Sequence, residues 1–282
     1  MKKGLIMEGG ALRGMFTAGV IDVFLEYGIT FEGAVGVSAG AAFGCNLKSR
    51  QIGRAVRYNI ANCKNPKYCS FRSLFFTGDM FGAKFCYETI PYETDVFDWE
   101  TYRNDPMEFY AVATDIESGK PVYHLCESLD RNEMDWLRAS ASMPLAARIV
   151  EIDGQKLLDG GISDSVPVRF FEKLGYDRNV IILTQPKGYV KKPSSLMGLI
   201  KLKYRKYPRL VEALVDRHNE YNETSAYIEE KESRGEVFVI RPPEALPVGR
   251  VEHDPEKIRK AYEIGRKTAT DQLERLKEFL NI

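Results

Sequence analysis

The chain opens with residues 4–14, GLIMEGGALRG, and this stretch decides the fold. Its first four residues are a short apolar run bounded by glycine, which predicts a buried parallel strand. The paired glycines predict a turn, and from Leu12 apolar residues recur at helical spacing until Gly28 ends the helix. Gly33–Val37 predicts a second buried strand, followed by a helix from Ala39. This strand–helix–strand–helix order predicts an α/β protein with a mostly parallel sheet.

Short apolar or β-branched segments predict further strands at 109–113, 122–126, 149–152, 180–184 and 237–240. Asp153-Gly154 is a turn signal between two such segments and predicts a hairpin. From Pro255 onward, apolar residues form one helical stripe and charged residues fill the other face. The expected architecture has three layers, α/β/α, around a mostly parallel central sheet.

Composition limits the classes of function. Forty basic and forty acidic residues cancel among 282, so no overall field favours nucleic acid as a partner. The apolar run at the N-terminus stops at Glu8, well short of the about 7–15 residues of a signal core. No stretch approaches the roughly 18 apolar residues of a spanning helix. The five cysteines contain no CxxC pair, so we expect thiols in a cytoplasmic protein, with no metal and no cofactor.

The sharpest local motif is Gly36-Val37-Ser38-Ala39-Gly40, a G-x-S-x-G. Glycines two positions on either side of a serine permit the tight strand-to-helix turn that holds a nucleophilic hydroxyl clear of the backbone. The helix start behind Ser38 would also place amides and a positive dipole end near developing negative charge. An ordinary glycine-rich turn can carry the same pentapeptide, so the motif needs support from elsewhere in the chain.

The loop after the first strand supplies a second candidate. Gly9 and Gly10 can leave amide N–H groups pointing outward at a helix N-terminus, which suits an oxyanion hole or an anion cradle. A dinucleotide fingerprint is the alternative, because Gly9-x-Ala11-x-x-Gly14 imitates G-x-G-x-x-G and Glu32 lies where a ribose-binding acid is expected. Ala11 replaces the middle glycine of that fingerprint, where a Cβ would crowd the pyrophosphate.

A third candidate is Asp159, which ends the apolar strand Leu157-Leu158 and precedes Gly160 and Gly161. A carboxylate at this position can accept the proton of a serine. Its ordinary pKa of about 3.9 makes it a weak base at neutral pH, so burial or a strengthening hydrogen bond must assist it. A plain Asp-Gly turn is the alternative interpretation.

Together the three motifs resemble the patatin-like phospholipase family, over about residues 4–170. The matches are Gly9, Gly10, Arg13 and Gly14 of its glycine loop, the Ser38 elbow with Gly36 and Gly40, and the later Asp159 with Gly160 and Gly161. The run RASASMP at 138–144 is also similar to the family. The resemblance implies a serine acyl hydrolase in which Asp159 activates Ser38 and the amides of Gly10 and Ala11, with Gly9 or Leu12 nearby, hold the oxyanion. Glu8 stands where the family has Asp, and Ala11 where it has a third glycine.

A conventional triad hydrolase would add a histidine, and the chain offers His124, His218 and His253. None of the three lies in a glycine-rich strand end, and the 35 residues before Gly36 cannot hold the several strands that precede the elbow in that fold. A silent lipid-binding module that has lost turnover is a further alternative, motivated by Ala11.

The chain divides by composition near residue 185. Residues 1–185 are expected to form the catalytic domain, and 186–282 a mostly helical extension packed on it. Within the extension, the basic stretch 187–209 contains eight Lys or Arg and no acid, with apolar residues interleaved. It predicts peripheral contact with an anionic membrane surface, or a solvated helix packed on the core. The predicted substrate is a lipid or another ester.

Overall fold

The computed structural model describes residues 1–282, which build one eight-stranded sheet. Its strands are β1 (Lys2–Met7), β2 (Gly33–Val37), β3 (Glu108–Asp115), β4 (Pro121–Leu125), β5 (Val150–Ile152), β6 (Gln155–Asp159), β7 (Tyr176–Ile182) and β8 (Val237–Ile240). The order is β5-β6-β3-β2-β1-β7-β8, and β4 also pairs with β3. The pairs from β3 through β2, β1 and β7 to β8 are parallel, and β4, β5 and β6 are antiparallel additions. The predicted mostly parallel sheet is confirmed.

Helices connect and cover the strands. They are α1 (Met15–Glu26), α2 (Ala39–Lys48), α3 (Arg54–Asn62), α4 (Phe71–Thr77), α5 (Trp99–Asn104), α6 (Arg131–Ser140), α7 (Val168–Lys173), α8 (Met197–Lys203), α9 (Pro208–Ser233), α10 (Pro255–Asp271) and α11 (Leu273–Leu280). A 3₁₀ turn, Ala11–Gly14, precedes α1, and a π-helix, Phe85–Thr94, lies between α4 and α5. No helix combines the length and the apolar character needed to cross a membrane.

The sheet is buried on both faces, because side chains alternate along each strand. In β1, Leu5 and Met7 belong to the larger core with Phe16 of α1 and residues of α11. Ile6 points the other way and packs in a second core with Phe171 of α7 and residues of α9. This division confirms the three-layer α/β/α architecture.

Local turn chemistry follows the sequence closely. Asp153 and Gly154 both adopt positive φ, 50° and 78°, and join β5 to β6 as the predicted hairpin. Gly28, with φ 66°, ends α1 at the predicted residue.

Residues after 185 pack directly on the sheet and on α1. β8 pairs with β7, and α10 crosses α1 at a glycine contact. A Cβ on Gly19 would meet the carbonyl oxygen of Tyr262, and a Cβ on Gly265 would meet that of Phe16. The two helix backbones therefore approach more closely than any larger residue would allow.

Candidate active site

The register of β3 brings Ser38 and Asp159 together. β2 ends at Val37, opposite Val112, and Asp159 ends β6 opposite the next residue, Ala113. β4 pairs with one edge of β3, so β2 and β6 both pair with its opposite edge. Along that edge, β6 begins to pair where β2 ends. The residue that follows β2 and the last residue of β6 are therefore neighbours, although 121 positions separate them in the chain.

Ser38 lies on a strained turn between β2 and α2. Its φ of 55° and ψ of −119° are rare for a residue with a side chain, and such strain is typical of a nucleophile elbow. A Cβ on Gly36 would meet the carbonyl oxygen of Gly40, and a Cβ on Gly40 would meet that of Met7, so both glycines are required by packing. The Ser38 amide donates to Ser140 Oγ at 2.8 Å, which fixes the turn from behind. Ser140 was not singled out from the sequence, although it lies within the 138–144 run.

Asp159 is a buried carboxylate, only 4% exposed. Its Oδ1 accepts the Gly161 amide at 2.8 Å. Burial raises the pKa of Asp159, and the opposing influences are the Arg217 charge, hydrogen bonding from the Ser38 hydroxyl, the Gly161 amide and the Lys191 charge. The Ser38 hydroxyl therefore lies close enough to the Asp159 carboxyl to lower its pKa by hydrogen bonding. A raised pKa makes Asp159 a stronger base than an exposed aspartate.

The resemblance to patatin-like phospholipases implies that Asp159 is a general base, and for such a base this pKa shift predicts the pH dependence of ester turnover. A general base works when deprotonated, so activity should fall as pH drops through a pKa raised above the ordinary 3.8. Arg217→Met should move the acid limb of kcat/KM to higher pH, because the Arg217 charge holds that pKa down. Exposed Arg209, paired with Glu212, supplies the control Arg209→Met, whose profile should match the parent. An acid limb that does not move in Arg217→Met would refute this assignment.

The glycine loop carries free amides beside the elbow. The N–H groups of Gly9, Gly10 and Ala11 donate to no acceptor in the protein, whereas the Leu12 amide donates to the Arg250 carbonyl at 3.5 Å. Ala11 adopts φ 49°, so the chain turns there even though it carries a Cβ. Of the four predicted oxyanion donors, three are therefore unoccupied and Leu12 is engaged.

Close packing holds this loop against the elbow. A Cβ on Gly9 would lie 3.0 Å from Ser38 Cβ, and a Cβ on Gly14 would lie 2.8 Å from Ala39 Cβ. On the other side, a Cβ on Gly10 would lie 2.7 Å from Thr184 Oγ1. These glycines allow the loop backbone to approach the serine from one side and β7 from the other.

Glu8 anchors the base of the loop. Its side chain is 2% exposed, accepts the Thr184 amide at 2.5 Å and hydroxyl at 3.1 Å, and accepts the Tyr221 hydroxyl at 2.7 Å. Lys191 Nζ lies 3.8 Å from the centre of the Tyr221 ring. The C-terminal residues therefore support the loop, a role that the sequence pattern did not reveal.

Four cations surround the loop without forming salt bridges: Arg13, Lys191, Arg217 and Arg250. Arg13 Nε is buried without a hydrogen-bond partner. Burial lowers the pKa of Lys191 to about 7, with the Arg217 charge as the next cause and Glu8 opposing both. The three arginine charges favour negative charge that develops beside the loop.

The histidines stand apart from this arrangement. His124 stacks on Trp136 with ring centres 4.1 Å apart, and His218 bonds within its own helix. His253 Nδ1 lies 2.6 Å from the Cys63 carbonyl oxygen. None of these contacts involves Ser38 or Asp159, so the geometry does not support a Ser-His-Asp triad.

The dinucleotide alternative also fails on geometry. Glu32 accepts the Lys3 amide at 2.6 Å, at the start of β1 and before β2 begins. The glycine loop lies at the opposite end of β1, so Glu32 cannot reach a ribose bound there. No group of three or more metal-ligating side chains occurs in the structure.

An apolar cavity of about 110 Å³ adjoins Ser38. Ser38, Ala11 and Leu12 lie on its wall, and seventeen of its twenty lining residues are hydrophobic. Further wall residues lie on α2, α3, the π-helix and α6, and include Ala42, Phe43, Tyr58, Tyr87 and Leu137. Small-molecule sites are typically lined mainly by hydrophobic and aromatic side chains with a few polar groups, and the wall of this cavity has that composition.

A serine elbow at a parallel strand end, beside free loop amides and a buried carboxylate, is typical of the α/β serine hydrolases. Within that class, the chain belongs to the patatin-like phospholipase family, whose model matches residues 5–171. Membership implies a lipid acyl hydrolase. Residues 207–281 match a second family model, described as a domain of unknown function.

Two individual proteins and one solved structure are also similar to this chain. The Escherichia coli K12 protein YjjU, described as uncharacterized, is 29% identical over 93% of this chain and 74% of its own length. Lysophospholipase nte1 of Aspergillus terreus is 30% identical over 62% of this chain. The matched region is only 11% of that relative's length. The crystal structure of VipD from Legionella pneumophila shares the fold, with a TM-score of 0.50 and 13% identity over 97% of this chain and 67% of VipD.

Proposed function

We propose that the protein hydrolyses lipid esters through a Ser38–Asp159 dyad, as a phospholipase A or lysophospholipase. Asp159 takes the hydroxyl proton while Ser38 Oγ attacks the ester carbonyl carbon, and the amides of Gly9, Gly10 and Ala11 bind the oxyanion. The leaving alcohol departs with the proton from Asp159. Asp159 then deprotonates a water, which attacks the acyl-enzyme, releases the fatty acid and restores Ser38.

The observation that carries this proposal is the apolar cavity opening at Ser38. If the ester carbonyl lies between the Ser38 hydroxyl and the loop amides, the acyl chain attached to it can extend along the apolar wall of the cavity. Each methylene buried there contributes about 0.8 kcal/mol, so turnover should favour long acyl chains.

Blocking the cavity tests this substrate class. Ala42 lines the wall, and Ala42→Phe adds six carbon atoms there. Loss of burial for two methylenes of a long acyl chain would then cost about 1.6 kcal/mol. The ratio of kcat/KM for p-nitrophenyl dodecanoate over butyrate should therefore fall about tenfold, with butyrate turnover largely kept. Ala213→Phe, on α9 outside the cavity, is the matched control. An unchanged ratio in Ala42→Phe would remove the cavity as the acyl site, and absence of ester turnover in the folded parent would favour the silent module.

The organisation of the chain belongs to the same proposal. Residues 1–185 would form the catalytic unit, and 186–282 would form an extension that supports the site. In the extension, Tyr221, with Lys191 over its ring, holds Glu8 at the base of the glycine loop, and Arg217 holds the Gly161 carbonyl beside Asp159. The protein would be cytoplasmic, and its basic stretch 187–209 would contact the membrane surface peripherally. Support for this location comes from the cysteines, all five of which are thiols.

A further inference from the structure

Residues Cys69–Phe81, the aromatic loop, leave the domain and return to it at the same place. Its two ends meet in an antiparallel bridge between Cys69 and Phe81. The Ser70 amide donates to the Met80 carbonyl at 3.0 Å, and the Gly82 amide donates to the Tyr68 carbonyl at 3.0 Å. The loop is thus tied at its base, and α4 forms the body of the loop between the tied ends.

α4 exposes three aromatic side chains to solvent. Phe71, Phe75 and Phe76 are 80%, 83% and 71% exposed, and the rings of Phe75 and Phe76 lie 5.2 Å apart, edge to face. Single exposed apolar residues are ordinary, but three phenylalanines on a seven-residue helix form a patch that marks a surface partner.

The charge around the aromatic loop is positive. No Asp or Glu occurs from Gln51 to Gly78, and Lys64, Lys67 and Arg72 form no salt bridge. The one acid of the loop, Asp79, is buried and accepts a backbone amide, so the exposed charges are basic. Basic side chains beside exposed aromatic ones suit the interface of an anionic bilayer, where the rings enter the acyl boundary and the cations meet headgroups.

A second helix, α8, also exposes apolar side chains. Leu196, Leu199 and Leu202, at the start of and within α8, are 51%, 57% and 65% exposed, and Lys201 and Lys203 alternate with them. The other side of α8 is buried through Ile200, so only one face of the basic stretch packs on the core.

One short segment joins both helices. The Leu145 amide donates to the Tyr204 hydroxyl at 3.2 Å, just after α8. The Met80 amide, just after α4, donates to the Ala146 carbonyl at 2.7 Å. α4 and α8 therefore flank the same segment, which follows Met143 on the cavity wall.

Phe81 at the end of the aromatic loop and Tyr68 just before its start also line the cavity. We propose that α4 and α8 together form a docking surface for an anionic phospholipid bilayer, with Phe71, Phe75 and Phe76 inserted at the acyl boundary. Docking there would bring the cavity mouth against the lipid. The delivery of substrate rests on the proposed hydrolase function, whereas the docking itself does not.

Vesicle flotation tests the docking without catalysis. In a Ser38→Ala background, the protein is mixed with phosphatidylglycerol–phosphatidylcholine vesicles or with phosphatidylcholine alone. Phe75→Ser/Phe76→Ser should lower the bound fraction on the anionic vesicles at least tenfold, and Lys201→Glu/Lys203→Glu should also weaken it. Because these side chains are exposed, melting temperatures should match the parent.

The matched control is Tyr27→Ser/Leu174→Ser. These residues are 51% and 40% exposed. They follow α1 and α7 and so lie at the amino ends of the strands, whereas Ser38 lies at the carboxyl end of β2. Its vesicle binding should stay within twofold of the parent. Unchanged vesicle binding by the phenylalanine variant would overturn the proposal. So would a parent protein that does not bind vesicles but forms a dimer in light scattering, if the phenylalanine variant is a monomer.

Catalysis is measured separately, with Ser38 intact. The phenylalanine variant should lose hydrolysis of vesicles but keep turnover of soluble p-nitrophenyl butyrate. If the parent binds vesicles and cleaves neither substrate, the hydrolase function fails and the docking surface stands. If the variant still cleaves vesicles as fast as the parent, the docking surface fails and the hydrolase function stands.

Discussion

Asp159→Asn should reduce ester turnover by about 10³-fold while the protein remains folded. Asparagine keeps the shape of the side chain and an oxygen for the Gly161 amide, which Asp159 accepts at 2.8 Å. It cannot take the Ser38 proton, and a positioned general base contributes about 10²–10⁴-fold. The measurement is kcat/KM for p-nitrophenyl butyrate at neutral pH, with the melting temperature as the check on folding.

Asp164→Asn is the matched control for that substitution. Asp164 is also an acid whose pKa is raised by burial, and its Oδ2 accepts the Tyr123 hydroxyl at 2.8 Å. It lies five residues from Asp159 and has no proposed part in proton transfer, so turnover should stay within a few-fold of the parent. Retained turnover in Asp159→Asn, together with loss in His253→Ala, would instead support a triad.

Much of the site could be predicted because it depends on short-range rules. Gly36 and Gly40 are needed for one tight turn, and that requirement is visible within five residues. The order of strand, glycine loop, helix and strand indicates a parallel sheet. The carboxyl ends of its strands lie on the same side, so loops that follow them come together. Asp159 followed by glycines could likewise be recognised as a strand end.

The support of the site could not be predicted, because it comes from distant segments. The Glu8–Tyr221 contact spans 213 positions, and Arg217 donates to the Gly161 carbonyl from a helix that looks solvated in the sequence. Nothing in the local pattern distinguishes these polar helical residues from surface ones. The Leu12 amide was predicted to be a possible donor, but its contact with Arg250 depends on a loop after β8.

Ser38→Ala should abolish measurable hydrolysis, with a loss of about 10⁴-fold or more in kcat. Removing the nucleophile of a serine hydrolase leaves only what the oxyanion donors and substrate binding can supply to water. Alanine keeps the Cβ that packs near Gly9, so the elbow should fold as in the parent.

Ser163→Ala is the comparison for Ser38→Ala. Ser163 is also buried, and its hydroxyl lies 2.7 Å from that of Thr114 near Asp159. This variant loses a buried hydroxyl without losing the proposed nucleophile. Its turnover should remain within a few-fold of the parent, even if its melting temperature falls.

The most direct test of the Ser38–Asp159 dyad is to map the covalent adduct that a fluorophosphonate leaves on the protein. Intact mass and peptide mapping should show one adduct, on Ser38, formed about 10³-fold more slowly in Asp159→Asn and absent from Ser38→Ala. An adduct on another residue, or equal labelling of the parent and Ser38→Ala, would contradict the assignment of Ser38 as the nucleophile.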